Sequence, residues 1–160
     1  MTAILVNKGG GQNAGVYFFG HRDCPTCLYE SIKKILMELI EKKGVKVFYV
    51  GTQGRFDQMV RSVLEELESE YWDLTYFVVL AYLPNPSDEV IRNSVYPEGL
   101  EKVPRRYAIS WRNRWMLSKA DYVVTYVEHS WGGAASFADL ARRKGKIVYN
   151  LQKTAPPRQE

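Results

Sequence analysis

Residues 16–50, VYFFGHRDCPTCLYESIKKILMELIEKKGVKVFYV, contain the pattern that best indicates the fold. The apolar run 16–19 has the length of a buried strand and ends at Gly20. Apolar residues then recur with the spacing of an amphipathic helix, at Leu28, Ile32, Ile35, Leu36, Leu39 and Ile40. Gly44 ends this helix, and residues 45–50 form a second apolar run. A strand, a helix and a second strand in this order predict a right-handed crossover in a parallel sheet.

The same alternation continues along the rest of the chain. Strands are predicted at 75–81, 122–126 and 146–150, and helices around 59–67, 109–119 and 134–143. The connection 83–106 is unusually long and rich in proline, so we expect it to be functional or partly flexible. The pattern predicts an α/β Rossmann-like three-layer sandwich with a five-stranded parallel sheet of order 3-2-1-4-5. Ligands bind such sheets where the order reverses, at the carboxyl ends of strands one and four.

Length and composition indicate one domain. The chain has 160 residues, of which 46% are hydrophobic and 25% charged, enough to bury a core without disulfides or a structural metal. We expect this domain to occupy residues 15–151, between loose segments at 1–14 and 152–160. No apolar run approaches the roughly 18 residues that span a bilayer, and the start of the chain is polar. The sequence therefore predicts a cytoplasmic protein without membrane contact.

The positive charge is concentrated in one segment. The net charge is +4, and residues 102–119 contain six basic residues and no acidic one. A local cluster suits a small anion such as a phosphate, whereas nucleic-acid binding favours a broad basic face, so a nucleic-acid partner is not expected. A solvated helix face would give the same pattern.

Three glycine-containing loops are predicted to meet at the carboxyl edge of the sheet. Each precedes a helix, and glycine backbone together with a helix N-terminus favours phosphate binding. The candidate binding residues are Gly20, His21, Arg22, Gly51, Gly54, Arg55, Trp131, Gly132, Gly133, Ala134 and Ser136. Of these, His21 is suited to acid–base chemistry and Trp131 to stacking on a base. Each loop taken alone is equally explained by a tight turn between a strand and a helix.

The third helix contains Arg112 and Met116 and is followed by Ala120 and Asp121, and the loop after the fourth strand contains Gly132 and Gly133. This pattern resembles the SLOG superfamily. In its phosphoribohydrolases, the LOG enzymes that release cytokinin bases from their nucleotides, a helix with Arg and Met leads through Ala-Asp into a strand. A Pro-Gly-Gly-x-Gly-Thr-x-x-Glu loop and helix follow. The matching residues are Arg112, Met116, Ala120, Asp121, Gly132 and Gly133. The departures are Trp131 for the proline, Ala135 for the third glycine, Ser136 for the threonine and Asp139 for the glutamate. The resemblance covers roughly residues 15–151 and indicates a bacterial branch without an assigned activity.

This resemblance implies a phosphorylated nucleoside or an NAD-derived nucleotide as ligand, with its phosphate on the loop 132–136 and with no cofactor or metal. It implies that Arg112 and Asp139 act at the N-glycosidic bond, Arg112 by holding the ligand and Asp139 at the oxocarbenium-like centre or on the attacking water. Asp139 is one methylene shorter than glutamate, and a displacement of about 1 Å can cost on the order of 10²-fold in rate. A non-catalytic sensor or sequestering module would use the same pocket. Related enzymes form dimers, and the tryptophans of the third helix suit a homodimer interface.

Other chemistries remain open at this stage. Cys24 and Cys27 form a CxxC motif at a helix start, as in thioredoxin-like redox sites, and with His21 they supply three zinc ligands. DNA binding, known for another SLOG branch, is a further alternative. Arg55 and Asp57 are interpreted as a pair that orders the second loop.

Overall fold

The computed structural model describes residues 14–20, 23–128 and 130–153. The six strands are β1 (Gly15–Gly20), β2 (Val47–Val50), β3 (Thr75–Val79), β4 (Ser94–Val95), β5 (Tyr122–Tyr126) and β6 (Ile147–Asn150). The four α-helices are α1 (Leu28–Lys43), α2 (Gly54–Glu68), α3 (Ala108–Lys119) and α4 (Gly133–Arg143). Every strand pairing is parallel, in the order β4-β3-β2-β1-β5-β6. The predicted α/β, Rossmann-like fold class is confirmed.

The sheet has one strand more than the five predicted. The additional β4 comes from the long connection and pairs with the end of β3 through Val78 and Val79. It is held by backbone bonds from Val78 N to Asn93 O at 2.9 Å and from Leu80 N to Val95 O at 2.8 Å. Two residues are too few to show a hydrophobic period, so only the tertiary pairing defines this strand. The other five strands keep the predicted order.

The core lies on both faces of the sheet. Phe18 and Phe48 pack with Leu36 and Leu64 in the layer under α1 and α2. Tyr17 and Phe19 lie in the other layer, with Met116 of α3 and with the alanines of α4. Because successive side chains of a strand point to opposite faces, β1 divides its aromatic residues between the two layers. This places Tyr17 below α3 and α4.

The long connection is packed against the domain. Ala81, Leu100 and Ala108 form a small buried cluster with half-buried neighbours that include Trp111. Arg92 forms an ion pair with Glu68 of α2. Apolar packing and this ion pair therefore hold the segment before α3 against the rest of the domain.

None of the helices within the described ranges is long and apolar enough to cross a membrane. The α3 tryptophans that suggested a homodimer interface are half-buried within this chain, where Trp115 packs edge-on against Tyr49 with ring centroids 6.2 Å apart. The homodimer stays a prediction.

Gly20 is expected to be required for packing. A Cβ at this position would lie 2.8 and 2.9 Å from ring carbons of Phe56, which is fully buried. Overpacking of a core costs roughly 1–3 kcal/mol, so Gly20→Ala should lower the free energy of unfolding by that amount. Urea denaturation followed by circular dichroism measures it.

Gly133→Ala is the matched control, because a Cβ there meets nothing within 4 Å. Alanine in a helix is favoured over glycine by about 0.5–1 kcal/mol, so this variant should be as stable as the original protein or more so. Equal midpoints for the two variants would contradict the packing requirement at Gly20.

Candidate functional site

A cavity of about 400 Å³ opens between β1, α3 and the N-termini of α2 and α4. It lies beside the carboxyl end of β1, where the strand order reverses between β1 and β5. Its lining residues are Tyr17, Phe18, Phe19, Gly20, Gln53, Asp57, Arg106, Ile109, Ser110, Arg112, Asn113, Met116, Gly133, Ala134 and Phe137. The walls are mainly apolar and carry a few charged groups, as ligand sites commonly do.

Arg112 of α3 is buried in the wall of this cavity and is only 2% exposed. Its guanidinium donates from Nη1 to Val79 O at 3.4 Å, and from Nε and Nη2 to Asn113 Oδ1 at 3.3 and 3.1 Å. A guanidinium has five N–H groups, so two remain without a partner among the described residues. Burial lowers the pKa of Arg112, and the neighbouring Tyr17 and Asp57 oppose that shift. The group still carries its charge at neutral pH.

Asp57, in the first turn of α2, brings a carboxylate to the same place. It is 6% exposed, and its Oδ2 accepts a hydrogen bond from Gln53 N at 2.8 Å. A Cβ on Gly51 would lie 2.8 Å from Asp57 Oδ2 and 3.1 Å from Arg112 Nη2. Gly51 is therefore needed for the close approach of these two charged groups to one stretch of backbone.

Tyr17 of β1 completes a buried polar cluster, which we define as Tyr17, Asp57 and Arg112. Its side chain is 1% exposed, and its hydroxyl has no hydrogen-bond partner in the described structure. Burial raises the pKa of Tyr17, as does the negative charge of Asp57, while Arg112 opposes the shift. The phenol therefore stays protonated and keeps its O–H for a ligand. An unpaired buried hydroxyl costs about 1–3 kcal/mol, which a hydrogen-bonding ligand would recover.

The rim of the cavity carries groups suited to an anion. Gly133 and Ala134 belong to the first turn of α4, whose backbone N–H groups point out of the helix. Gly132 precedes them at φ 93°, a left-handed conformation that favours glycine. Arg106 also lines the cavity, and its guanidinium lies 4.7 Å from the ring centroid of Tyr107. The buried polar cluster and this rim are thus two polar regions of one cavity.

A second depression, of about 200 Å³, lies between α2 and β3. Its arginine from the long connection, Arg92, is already paired with Glu68 and Tyr76. The larger cavity holds the buried ionisable groups, and we take it as the candidate site.

The cavity is lined by four of the residues predicted from sequence, Gly20, Arg112, Gly133 and Ala134. The other described candidates are not among its lining residues: Gly51, Gly54, Arg55, Trp131, Gly132, Ser136 and Asp139. His21 and Arg22 lie outside the described residues. Among the described residues, the loop after β2 contributes Gln53, and the first turn of α2 contributes Asp57.

Asp139 is on the outer face of α4. Its side chain is 68% exposed and pairs with Arg142 at 3.3 Å. Phe137 faces the cavity, and two residues along an α-helix turn the side chain by about 200°, to the opposite face. The structure does not bring Asp139 together with Arg112.

Two other candidate side chains, Arg55 and Ser136, make local hydrogen bonds, and Trp131 is exposed. Arg55 Nη1 donates to Cys24 O at 3.3 Å. Ser136 Oγ donates to Gly132 O at 3.1 Å and is exposed. Trp131 is 70% exposed.

Sequence reasoning does not single out Tyr17, and it assigns Asp57 only to the ordering of the second loop. Tyr17 is one of several aromatic residues in an apolar strand, and nothing local indicates that its hydroxyl lacks a partner. The sequence suggests that Asp57 pairs with Arg55 to order the second loop. In the structure Asp57 accepts a hydrogen bond from Gln53 N of that loop and is buried beside Gly51 and Arg112. A signal was present, because an acid three residues after a helix-initiating glycine suits the first turn of a helix.

The two cysteines of the CxxC motif differ in their environments. Cys24 is buried, which raises the pKa of its thiol to about 11, while Cys27 is exposed. Thiol exchange needs the thiolate, so burial of Cys24 disfavours a thioredoxin-like role. Within the described ranges, no group of three or more His, Cys, Asp or Glu side chains is placed to hold a metal ion.

Comparison with solved structures finds a likeness of fold. The X-ray structure of DNA processing protein A (DprA) from Streptococcus pneumoniae superposes with a TM-score of 0.61 at 16% sequence identity, over 84% of this chain. The match covers 49% of the DprA chain, so this protein spans about half its length. No protein-family model matches the sequence, and no curated protein does. The likeness shows that the two proteins share a Rossmann-like fold.

Proposed function

We propose that this protein binds a phosphorylated nucleoside in the 400 Å³ cavity and hydrolyses its N-glycosidic bond. The observation that carries the proposal is Arg112, a buried arginine with two N–H groups that no described residue accepts. A charged donor in a buried position is costly unless a partner satisfies it, and an oxygen-rich ligand is such a partner.

The rim of the cavity supplies the phosphate site in this proposal. Gly133 and Ala134 offer backbone N–H groups at a helix N-terminus, and Arg106 adds a positive charge beside them. The phosphate then lies near solvent, and the sugar points inward to the buried polar cluster. The apolar walls formed by Phe19, Met116 and Phe137 accommodate the less polar parts of the ligand.

The volume of the cavity supports a small molecule. Ligand sites commonly measure about 300–1,000 Å³, and 400 Å³ suits a mononucleotide better than a dinucleotide. The shared fold of DprA and the sequence motif around Arg112 both support a SLOG-type relationship. Glycosidic cleavage is the reaction that this resemblance implies.

The experiment that tests the proposal combines a thermal shift with chromatography of released base. AMP, GMP, CMP, UMP, NAD and ADP-ribose are each incubated with the full chain. A raised melting temperature together with free base is the expected result for at least one monophosphate. Stabilisation without free base would identify a sensor or sequestering module, and no stabilisation by any of the six would overturn the proposal.

The name of DprA makes DNA the necessary comparison ligand. Binding through phosphate contacts weakens steeply with salt, because counterions are released. Single- and double-stranded oligonucleotides at two salt concentrations therefore accompany the nucleotides. Tight, salt-sensitive oligonucleotide binding without a nucleotide response would favour a nucleic-acid role.

A further inference from the structure

The proposed reaction needs a carboxylate at the sugar. The residue that the SLOG resemblance suggests does not line the cavity. Asp139 is exposed on the outer face of α4 and pairs with Arg142. Glycosidic hydrolysis passes through a positively charged, oxocarbenium-like centre, which a carboxylate stabilises while it activates water. The catalytic acid must therefore come from another element.

Asp57 is the only carboxylate among the described residues that line the cavity. It is 6% exposed, and the hydrogen bond from Gln53 N to Oδ2 fixes its orientation. The same backbone at Gly51 packs against Asp57 Oδ2 and Arg112 Nη2. The carboxylate is thus held beside the guanidinium with the unpaired N–H groups.

We propose that Asp57 is the catalytic carboxylate of this protein, acting at the anomeric carbon of a sugar that Arg112 and Tyr17 hold. This inference rests on the proposed function. It assigns the carboxylate to α2. The SLOG resemblance indicates a position on α4, which packs on the other face of the sheet.

The step is a hydrolysis that consumes one water molecule. The water oxygen bonds to C1′ as the C1′–N bond breaks, and the bonding electron pair goes to the nitrogen of the base. Asp57 accepts the proton that the water loses and later releases it to solvent, while the leaving base takes up a proton from solvent. The products are the free base and the sugar 5-phosphate. Arg112 holds the sugar by its free N–H groups, and Tyr17 donates its hydroxyl to a sugar oxygen.

The test is Asp57→Asn, assayed for turnover of AMP, GMP, CMP and UMP and for binding of the same compounds by calorimetry. Asparagine can still accept the hydrogen bond from Gln53 N, so we expect the variant to fold. General acid–base catalysis contributes about 10²–10⁴-fold, and turnover should fall by that factor. Affinity should be unchanged or tighter, because a negative charge has been removed from a site for an anion.

Two further variants make the assignment specific. Asp73→Asn makes the same chemical change at a residue paired with Lys46, away from the cavity, and should keep full turnover. Asp139→Asn tests the competing assignment on α4. Asp57→Asn turnover within about threefold of the original protein, or a loss of turnover only in Asp139→Asn, would overturn the role of Asp57 and leave the proposed function standing.

Two further outcomes are decisive, one for the original protein and one for the variants. If it binds the monophosphates and releases no base, glycosidic cleavage and the catalytic role of Asp57 fail together, and nucleotide binding stands. If Asp57→Asn does not fold, Asp57→Glu keeps the charge and displaces it by about 1 Å, with an expected loss on the order of 10²-fold. An Asp57→Glu variant as active as the original protein would overturn the proposal.

Discussion

Arg112→Met is expected to lower the affinity for a nucleoside monophosphate by at least about 100-fold. Each hydrogen bond to a charged group contributes roughly 1.5–3 kcal/mol, and the two unpaired N–H groups of Arg112 offer two of them. A tenfold change in affinity corresponds to about 1.4 kcal/mol, so the loss of both bonds gives a 100-fold change or more. Titration calorimetry with the monophosphate that stabilises the protein best measures it.

Arg114→Met is the control for this change. Arg114 is on the same helix two residues further on and is exposed, so its loss removes one positive charge and leaves the cavity intact. Its affinity should stay within about threefold of the original protein, as expected for a screened surface charge. Equal affinities for both methionine variants would remove Arg112 from the site, and thermal melts of each confirm that the fold persists.

Tyr17→Phe is expected to change stability and binding in opposite directions. The hydroxyl is buried without a partner in the described structure, which costs about 1–3 kcal/mol. Its removal should raise the free energy of unfolding of the ligand-free protein by about 1 kcal/mol. It should also weaken nucleotide binding by about tenfold, because the hydroxyl that binds the sugar is lost.

Tyr29→Phe supplies the matched control for the hydroxyl. The same substitution at Tyr29 removes a hydroxyl that donates a hydrogen bond to Glu66 Oε2 at 2.6 Å. That variant should lose stability and keep its affinity. Urea denaturation and calorimetry on both phenylalanine variants separate the two roles, and a destabilised Tyr17→Phe with unchanged binding would show that the hydroxyl has no ligand role.

The buried polar cluster also illustrates why the site was only partly predictable. Arg112 was found because a motif surrounds it, and Gly133 and Ala134 because a glycine loop precedes a helix. The sequence indicates for Asp57 only a role in ordering a loop, because its burial depends in part on Arg112, which is distant in sequence. The assignment of Asp139 followed a motif position, and helix periodicity then placed that side chain outward.

The long connection 83–106 is likewise only partly predictable from sequence. Its proline and glycine content predicted an irregular segment, and most of it is irregular in the structure. The short strand β4 and the packing of Leu100 with Ala81 depend on residues elsewhere in the chain. No hydrophobic periodicity in the local sequence indicates either feature.

The alternation of strands and helices, the parallel sheet and the order of five strands are predictable from the amino-acid sequence, because hydrophobic period and chain connectivity are local properties. The sequence motif also predicts Arg112 as a site residue, and Arg112 lines the candidate cavity. Three features depend on how the chain packs: Tyr17 and Asp57 join Arg112 in one cavity, Asp139 does not line it, and the sheet has a sixth strand. Burial and hydrogen-bond partners determine the chemistry of a side chain. Both are set by residues brought together from distant parts of the chain.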